Sequence, residues 1–292
     1  MQMKGILPAL VTPFDKSGAV DHETLASIVE YQLNAGVSGF VPLGSTGEYY
    51  ALTNEERRQV LATVKEVVGD RGVLIAGANG SCTREVLEQV KQTVEAGYTN
   101  LLIAPPYYAL PSQEELAAHY QTILDTFPEI NVVLYNYPVR TNVEVGFGVL
   151  DALKDHPRVV GIKESSGNLL RAIEIGTTYK DNFQLSCGSD DQALDFFIWG
   201  ASSWICGPAN CFPNQVVDFY RKFSSGDLSG AQEVVKSLFP VMASMEAGKF
   251  VQKVKYGCEL AGFKAGNARA PLLPLTDEEK AEFRKVFEAS QR

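Results

Sequence analysis

One lysine stands inside an apolar run, VVGIKES at 159–165, and it offers the most direct route to chemistry in this chain. An ammonium in a strand covered on both faces costs free energy unless it is paired, reaches solvent or is put to use. Lys163 therefore has two readings. Its head can reach water at the strand end. Alternatively, burial can disfavour the charged form, and the neutral amine can add to a ketone and form an imine. A protonated imine draws electrons from the neighbouring carbon, so a C–C bond there can be made or broken. That reaction calls for neither metal nor cofactor.

The other candidates also follow apolar runs. NVVLYN (131–136) carries Tyr135, either a core residue or a phenol that relays a proton to the forming carbinolamine. The second run ends in Gly44-Ser45-Thr46-Gly47-Glu48. This is an ordinary turn with a hydroxyl cap, or else a carboxylate cradle made of the Ser45 and Thr46 hydroxyls and close backbone N–H groups. A 2-oxo acid carries its carboxylate beside its ketone, so such a cradle would aim the ketone at Lys163. Arg140 follows the fifth run and is either a surface residue or a bidentate grip on a second carboxylate. Pro105-Pro106-Tyr107-Tyr108 reads as a packed loop, and Gly188-Ser189-Asp190-Asp191 as a turn whose acids favour the next helix N-terminus.

These residues must be held by a regular frame. Eight short apolar runs, at 5–11, 39–44, 73–78, 100–105, 131–136, 159–165, 183–189 and 203–208, alternate with amphipathic stretches. Thr53 with Glu56 and Ser112 with Glu115 read as capping boxes, and Gly36, Gly69 and Gly97 as helix stops. Runs without polar alternation, joined by helices, imply parallel strands. The pattern predicts a (β/α)8 TIM barrel over 1–225 and a helical extension over 226–292, with helices at 227–246, 249–262 and 277–290. In such barrels the working groups sit at the C-terminal ends of the strands. A doubly wound nucleotide-binding sheet is the alternative, but Gly77-Ala78-Asn79-Gly80 is not its glycine fingerprint and no phosphate-binding P-loop occurs.

Composition narrows the field. An apolar fraction of 45% with 21% charged residues is ordinary for a globular chain and excludes disorder. A formal charge of −9 opposes binding to phosphate backbones, so no nucleic-acid partner is expected. No run approaches the ~20 apolar residues that span a bilayer, so no membrane partner is expected either. The opening MQMKGILPALVTPFD reads as a first strand, not a signal peptide. Five cysteines, irregularly spaced, suit neither a disulfide framework nor a zinc site, and Cys187 and Cys206 read as core residues. His22, His119 and His156 are scattered. A reducing cytoplasm is the expected compartment.

Taken together and in order, GSTGE (44–48), YNYP (135–138) and GIKESSGN (161–168) resemble the signatures of the dihydrodipicolinate synthase / N-acetylneuraminate lyase family. The resemblance runs from the opening GILPALVTPF to the helical tail. It implies a cofactor-independent class I aldolase, a lyase or synthase acting on pyruvate or a related 2-oxo acid. Lys163 would be the Schiff-base residue, Tyr135 the proton relay, and Ser45 and Thr46 the carboxylate holders. Tyr108 would complete the relay in a neighbouring subunit of a homotetramer built as a dimer of dimers. Gly188 and the carbonyl of Ile205 would lie near the imine, and Arg140 would bind the carboxylate of aspartate semialdehyde, as in the synthase branch. Three departures stand out: Asn142 replaces the glycine of Arg-Thr-Gly, Tyr49 and Tyr50 replace smaller residues, and the tail GKFVQKVK (248–255) lacks Pro-x-Pro-x-Lys. Catabolic members that cleave or dehydrate 2-keto-3-deoxy sugar acids, or deaminate a pyrroline carboxylate, therefore remain open beside the synthase. A non-catalytic 2-oxo acid-binding barrel is the alternative from another class.

Overall fold

The computed structural model describes residues 1–291. The strands are β1 (Gly5–Pro8), β2 (Gly39–Phe40), β3 (Val73–Leu74), β4 (Ala76–Gly77), β5 (Asn100–Ile103), β6 (Asn131–Asn136), β7 (Val159–Glu164), β8 (Gln184–Cys187) and β9 (Ser203–Cys206). The helices are α1 (His22–Ala35), α2 (Asn54–Val68), α3 (Thr83–Glu95), α4 (Gln113–Thr126), α5 (Pro138–Thr141), α6 (Phe147–Leu153), α7 (Leu169–Thr178), α8 (Ala193–Ile198), α9 (Pro213–Ser224), α10 (Leu228–Glu246), α11 (Phe250–Leu260) and α12 (Asp277–Ala289). Among the described residues no helix is long and apolar enough to cross a membrane.

The chain divides into two compact units: Met1–Lys4 with Leu74–Trp204, and Gly5–Val73 with Ile205–Arg292. In the first, β4, β5, β6, β7, β8 and β9 lie side by side in sequence order, every pairing parallel. A parallel neighbour can be reached only by a crossover, and α3, α4, α6, α7 and α8 supply them. The central strands are buried along nearly their whole length. Both faces are therefore covered, which is why their sequences read as continuous aliphatic runs.

In the second unit, β1 is flanked by two neighbours. Val41 N–H donates to the Pro8 carbonyl at 2.9 Å, and Ala9 N–H donates to the Cys206 carbonyl at 2.8 Å. The helical tail follows. Helix α10 packs on α9 and α12, and α11 on α12. Phe212 and Phe287 meet with ring centroids 4.6 Å apart, and both are buried. The helix bounds expected in the tail hold to within a residue or two.

Strands are shorter than their apolar runs. The second run forms only two residues of strand, and the third is split around Ile75, so that β3 pairs with β2 and β4 with β5. Both expected capping boxes form, on Thr53/Glu56 and Ser112/Glu115. Helix α3 ends at Glu95 with Ala96 as its cap, and Gly97 follows with φ +82°, a left-handed conformation that glycine adopts without strain.

Glu56 does more than cap α2. Its carboxylate also meets the Arg269 guanidinium, with Nη1 2.9 Å from Oε2, while Arg269 itself donates to the carbonyls of Ala51 and Gly18. The hydrogen bond from Arg269 first, and then those from the Thr53 N–H and hydroxyl, outweigh burial and pull the Glu56 carboxyl from its ordinary 4.5 to about 2. A depressed carboxyl contributes stability above its unfolded pKa, and that contribution is lost as pH falls through the folded one. Glu56→Gln should therefore lower the melting temperature at neutral pH. The gap from the parent protein should shrink below pH 4.5 and close near pH 2. Melting curves across that range check it; a gap independent of pH would mean that the charge on Glu56 contributes nothing.

Candidate active site

Tyr135 and Lys163 are register partners on β6 and β7. Side chains alternate across a strand, so a direct pair on parallel neighbours shares one face, and Asn136 and Glu164 share the other. Lys163 Nζ sits 4.6 Å from the centre of the Tyr135 ring. Both are buried, Lys163 at 6% exposure and Tyr135 at 4%. The lysine head therefore does not reach solvent in the way a surface residue would.

Gly188, just beyond β8, keeps this place open. A Cβ there would lie 2.8 Å from Lys163 Cε, 2.8 Å from the Glu164 carbonyl oxygen and 1.9 Å from Ser165 Oγ. Its N–H donates to the Glu164 carbonyl at 2.9 Å, which fixes the turn against the end of β7. Any side chain at 188 would displace the lysine stem. The Ser165 hydroxyl is buried without a hydrogen-bond partner.

On the opposite face is a buried polar cluster. Glu164 accepts from Asn136 Nδ2 at 2.8 Å, from Arg171 Nε at 2.7 Å and from the Ser166 N–H at 2.7 Å. Asn136 Oδ1 in turn accepts from the Val145 N–H at 2.9 Å. The sequence reading gave none of Asn136, Glu164 and Arg171 a role. A glutamate in an apolar strand does signal an ionic partner, since an unpaired buried carboxylate is costly, but the signal does not identify which cation answers it.

Arg140 lies on the one-turn α5, exposed, with its guanidinium carbon 5.8 Å from the centre of the Tyr137 ring. Asn142 caps that turn at φ 52°, in the left-handed region. Asparagine is one of the few non-glycine residues that tolerate it, so the departure from Arg-Thr-Gly leaves the backbone course of a glycine. Tyr108 is 87% exposed and Tyr107 37%, so the packed-loop reading of this pair is incorrect for the single chain. Asp190 is buried and accepts from the Trp204 indole N–H at 2.9 Å, a structural use of the acid.

In the second unit, the GSTGE turn is closed by Gly47 N–H to the Gly44 carbonyl at 3.1 Å and Glu48 N–H to the Ser45 carbonyl at 3.2 Å. Thr12 Oγ1 donates to the Gly47 carbonyl at 2.7 Å. Thr46 is buried and Ser45 half-buried. Glu48, at φ 53° and fully buried, ends the turn. Its Oε1 lies 2.6 Å from Lys255 Nζ on α11, and its Oε2 accepts from the Arg269 N–H at 2.8 Å. Burial pulls the Lys255 pKa down, and the Glu48 carboxylate opposes that pull. Lys255, the last residue of the GKFVQKVK tail, thus anchors the turn even though the prolines before it are missing. Phe14 lies against both cations, its ring centre 3.8 Å from Lys255 Nζ and 4.2 Å from Arg269 Cζ. Ile205 is buried in β9. Close after it, Asn210 accepts from the Val11 N–H at 3.1 Å and donates to the carbonyls of Ala9 and Gly207, both at 2.9 Å. Among the described residues no three His, Cys, Asp or Glu side chains gather as metal ligands would.

The chain is similar to known proteins over nearly its whole length. Residues 2–290 match the family model described as the dihydrodipicolinate synthetase family. A 4-hydroxy-tetrahydrodipicolinate synthase of Methanoculleus marisnigri is 37% identical over 287 residues, covering 97% of this chain and 98% of that protein. Among solved structures, dihydrodipicolinate synthase from Thermotoga maritima superposes with a TM-score of 0.95 at 30% identity, covering 100% of this chain and 99% of that one. The chloride-inhibited enzyme of Acinetobacter baumannii, complexed with pyruvate, does so with a TM-score of 0.95 at 28% identity, covering 99% of each chain. The fold is accordingly the (β/α)8 barrel with a C-terminal helical extension that the alternation of runs predicted, and the chain belongs to the dihydrodipicolinate synthetase family.

Proposed function

We propose that this protein condenses pyruvate with aspartate semialdehyde, as a 4-hydroxy-tetrahydrodipicolinate synthase, through an imine on Lys163. The observation that carries the reading is Lys163 itself: a buried lysine, in register with a tyrosine, beside a glycine that leaves its stem room. The Lys163 amine adds to C2 of pyruvate. Tyr135 passes the proton that turns the carbinolamine hydroxyl into water, and that water leaves as the imine forms. Loss of a proton from C3 gives the enamine, whose C3 attacks the aldehyde carbon of the second substrate while the aldehyde oxygen takes up a proton; the semialdehyde's own amino group then adds to the imine carbon, closing the ring and releasing the Lys163 amine. Ser45 and Thr46 hold the pyruvate carboxylate, with Gly188 and the Ile205 carbonyl near the imine.

Arg140 receives the carboxylate of aspartate semialdehyde. Asn142, two residues on, departs from the synthase Arg-Thr-Gly in sequence, but its left-handed conformation is one that a glycine would also adopt, so it does not oppose the synthase reading. The exposed Tyr108, with Leu110 half-exposed beside it, suits insertion into a second copy of this chain. A dimer of such dimers, working in the cytoplasm, is the assembly we propose. Residues 1–225 form its catalytic barrel and 226–292 the helical extension.

Turnover of pyruvate with aspartate semialdehyde, followed beside 2-keto-3-deoxy sugar acids and a hydroxylated pyrroline carboxylate, tests the reading. The semialdehyde reaction should dominate; faster cleavage, dehydration or deamination of either alternative would reverse the assignment. Tyr135→Phe keeps the ring and removes the hydroxyl. It should lower kcat by about 10²–10⁴-fold with an unchanged melting temperature. Full activity in that variant would return Tyr135 to packing alone.

A further inference from the structure

We propose that Arg171 is a positioning residue: it holds the 137–146 loop, and through it Arg140, in place for the second substrate. The proposal rests on the reading of Arg140 given above.

Arg171 is on α7, with only 4% of its side chain exposed. Each nitrogen of its guanidinium meets a different residue. Nε donates to Glu164 on β7 at 2.7 Å, Nη1 lies 2.9 Å from the Glu144 carboxylate, and Nη2 donates to the Val145 carbonyl. The planar group also lies against the Phe147 ring, 4.8 Å from its centre. Two of the three polar partners, Glu144 and Val145, belong to the loop that follows Arg140. The third, Glu164, is next in sequence to Lys163 and joined to Asn136, which is next to Tyr135.

The arrangement ties a segment outside the sheet to the sheet itself. Strands β6 and β7 are locked by their ladder, whereas the segment that leaves β6 at Tyr137 makes only the single turn of α5 before helix resumes at Phe147. Its far end is gripped at Val145 from both sides, the N–H by Asn136 and the carbonyl by Arg171. Gln113 adds a second tether, donating to the Glu144 carbonyl and accepting from the Gly146 N–H, both at 2.9 Å. Arg140 lies against Tyr137 of the same segment, so the course of the backbone there sets where both stand.

Stability alone does not call for this arrangement. A buried ion pair can often be replaced by apolar residues of similar volume at no cost. What apolar residues cannot supply is a planar donor fork that fixes a carbonyl, a carboxylate and a strand end at set angles. Lysine carries the same charge but no fork, so Arg171→Lys separates the two roles.

The test is steady-state kinetics of the full-length protein with pyruvate and aspartate semialdehyde. Borohydride trapping of the pyruvate imine and melting temperature are measured alongside. In Arg171→Lys, KM for the semialdehyde should rise by about ten- to a hundredfold, the scale of a small misplacement. The imine trapped at saturating pyruvate should match the parent. Glu144→Gln touches only the half-exposed end of the contact and should raise the same KM by about two- to fivefold. If Arg171→Lys does not fold, this milder variant decides alone. Two results would overturn the proposal: a lower melting temperature with both KM values unchanged, which makes Arg171 a packing residue, or loss of the imine, which makes the network act on Lys163. Failure of the underlying reading looks different. In that case the unmodified protein traps no imine, or Arg140→Ala leaves KM for the semialdehyde unchanged.

Discussion

The pairing of β6 with β7 in a register that sets Tyr135 opposite Lys163 is the constraint on which the rest of the site depends. A slip of one residue would reverse every side chain on the strand. Lys163 would then face the acidic side, and Glu164 would face the tyrosine. The ladder alone does not settle this, because parallel strands buried on both faces are apolar either way. The polar residues settle it. Glu164 and Asn136 bond directly across the strands, and Arg171 completes the carboxylate's shell. A slipped register would leave that carboxylate buried without partners, at a cost of several kcal/mol. The charged groups that make the strand ends expensive thus also make their register unique.

The same logic recurs at the GSTGE turn. Glu48 is buried, sits in a strained left-handed conformation, and is answered by Lys255 and by the backbone of Arg269. Both partners come from the C-terminal residues of the chain, so the helical tail serves the turn directly. Such strain persists only where the surroundings over-determine it. In the proposed mechanism this is the turn that holds the pyruvate carboxylate, so the tail contributes to substrate binding without supplying a residue that touches substrate.

Much of this was legible in the sequence, for a physical reason. The alternation of aliphatic runs with amphipathic stretches is local, and so are the capping boxes at Thr53 and Ser112, so the order of strands and helices could be read directly. Strand lengths could not. GFVPLG is apolar over six residues, yet Gly39–Phe40 form the strand, Val41 adds one bridge to Ala9 and the rest does not pair, because apolar character reports burial and not hydrogen bonding. The ionic partners were also illegible. Glu56 and Arg269 are 213 residues apart in the chain, and no periodicity links them. Glu48 and Glu164 both lay within the recognised motifs, and only the fold revealed what each is for. Asn142 is the converse case: as a letter it departs from the synthase pattern, as a conformation it does not.

The imine on Lys163 is the step through which every proposed role is connected, and it can be trapped. The full-length protein, incubated with pyruvate and reduced with borohydride, should carry a pyruvate-derived mass on the single peptide that contains Lys163, and Lys163→Ala should carry none. An adduct on a different lysine, or no adduct on a folded and active enzyme, would contradict the mechanism.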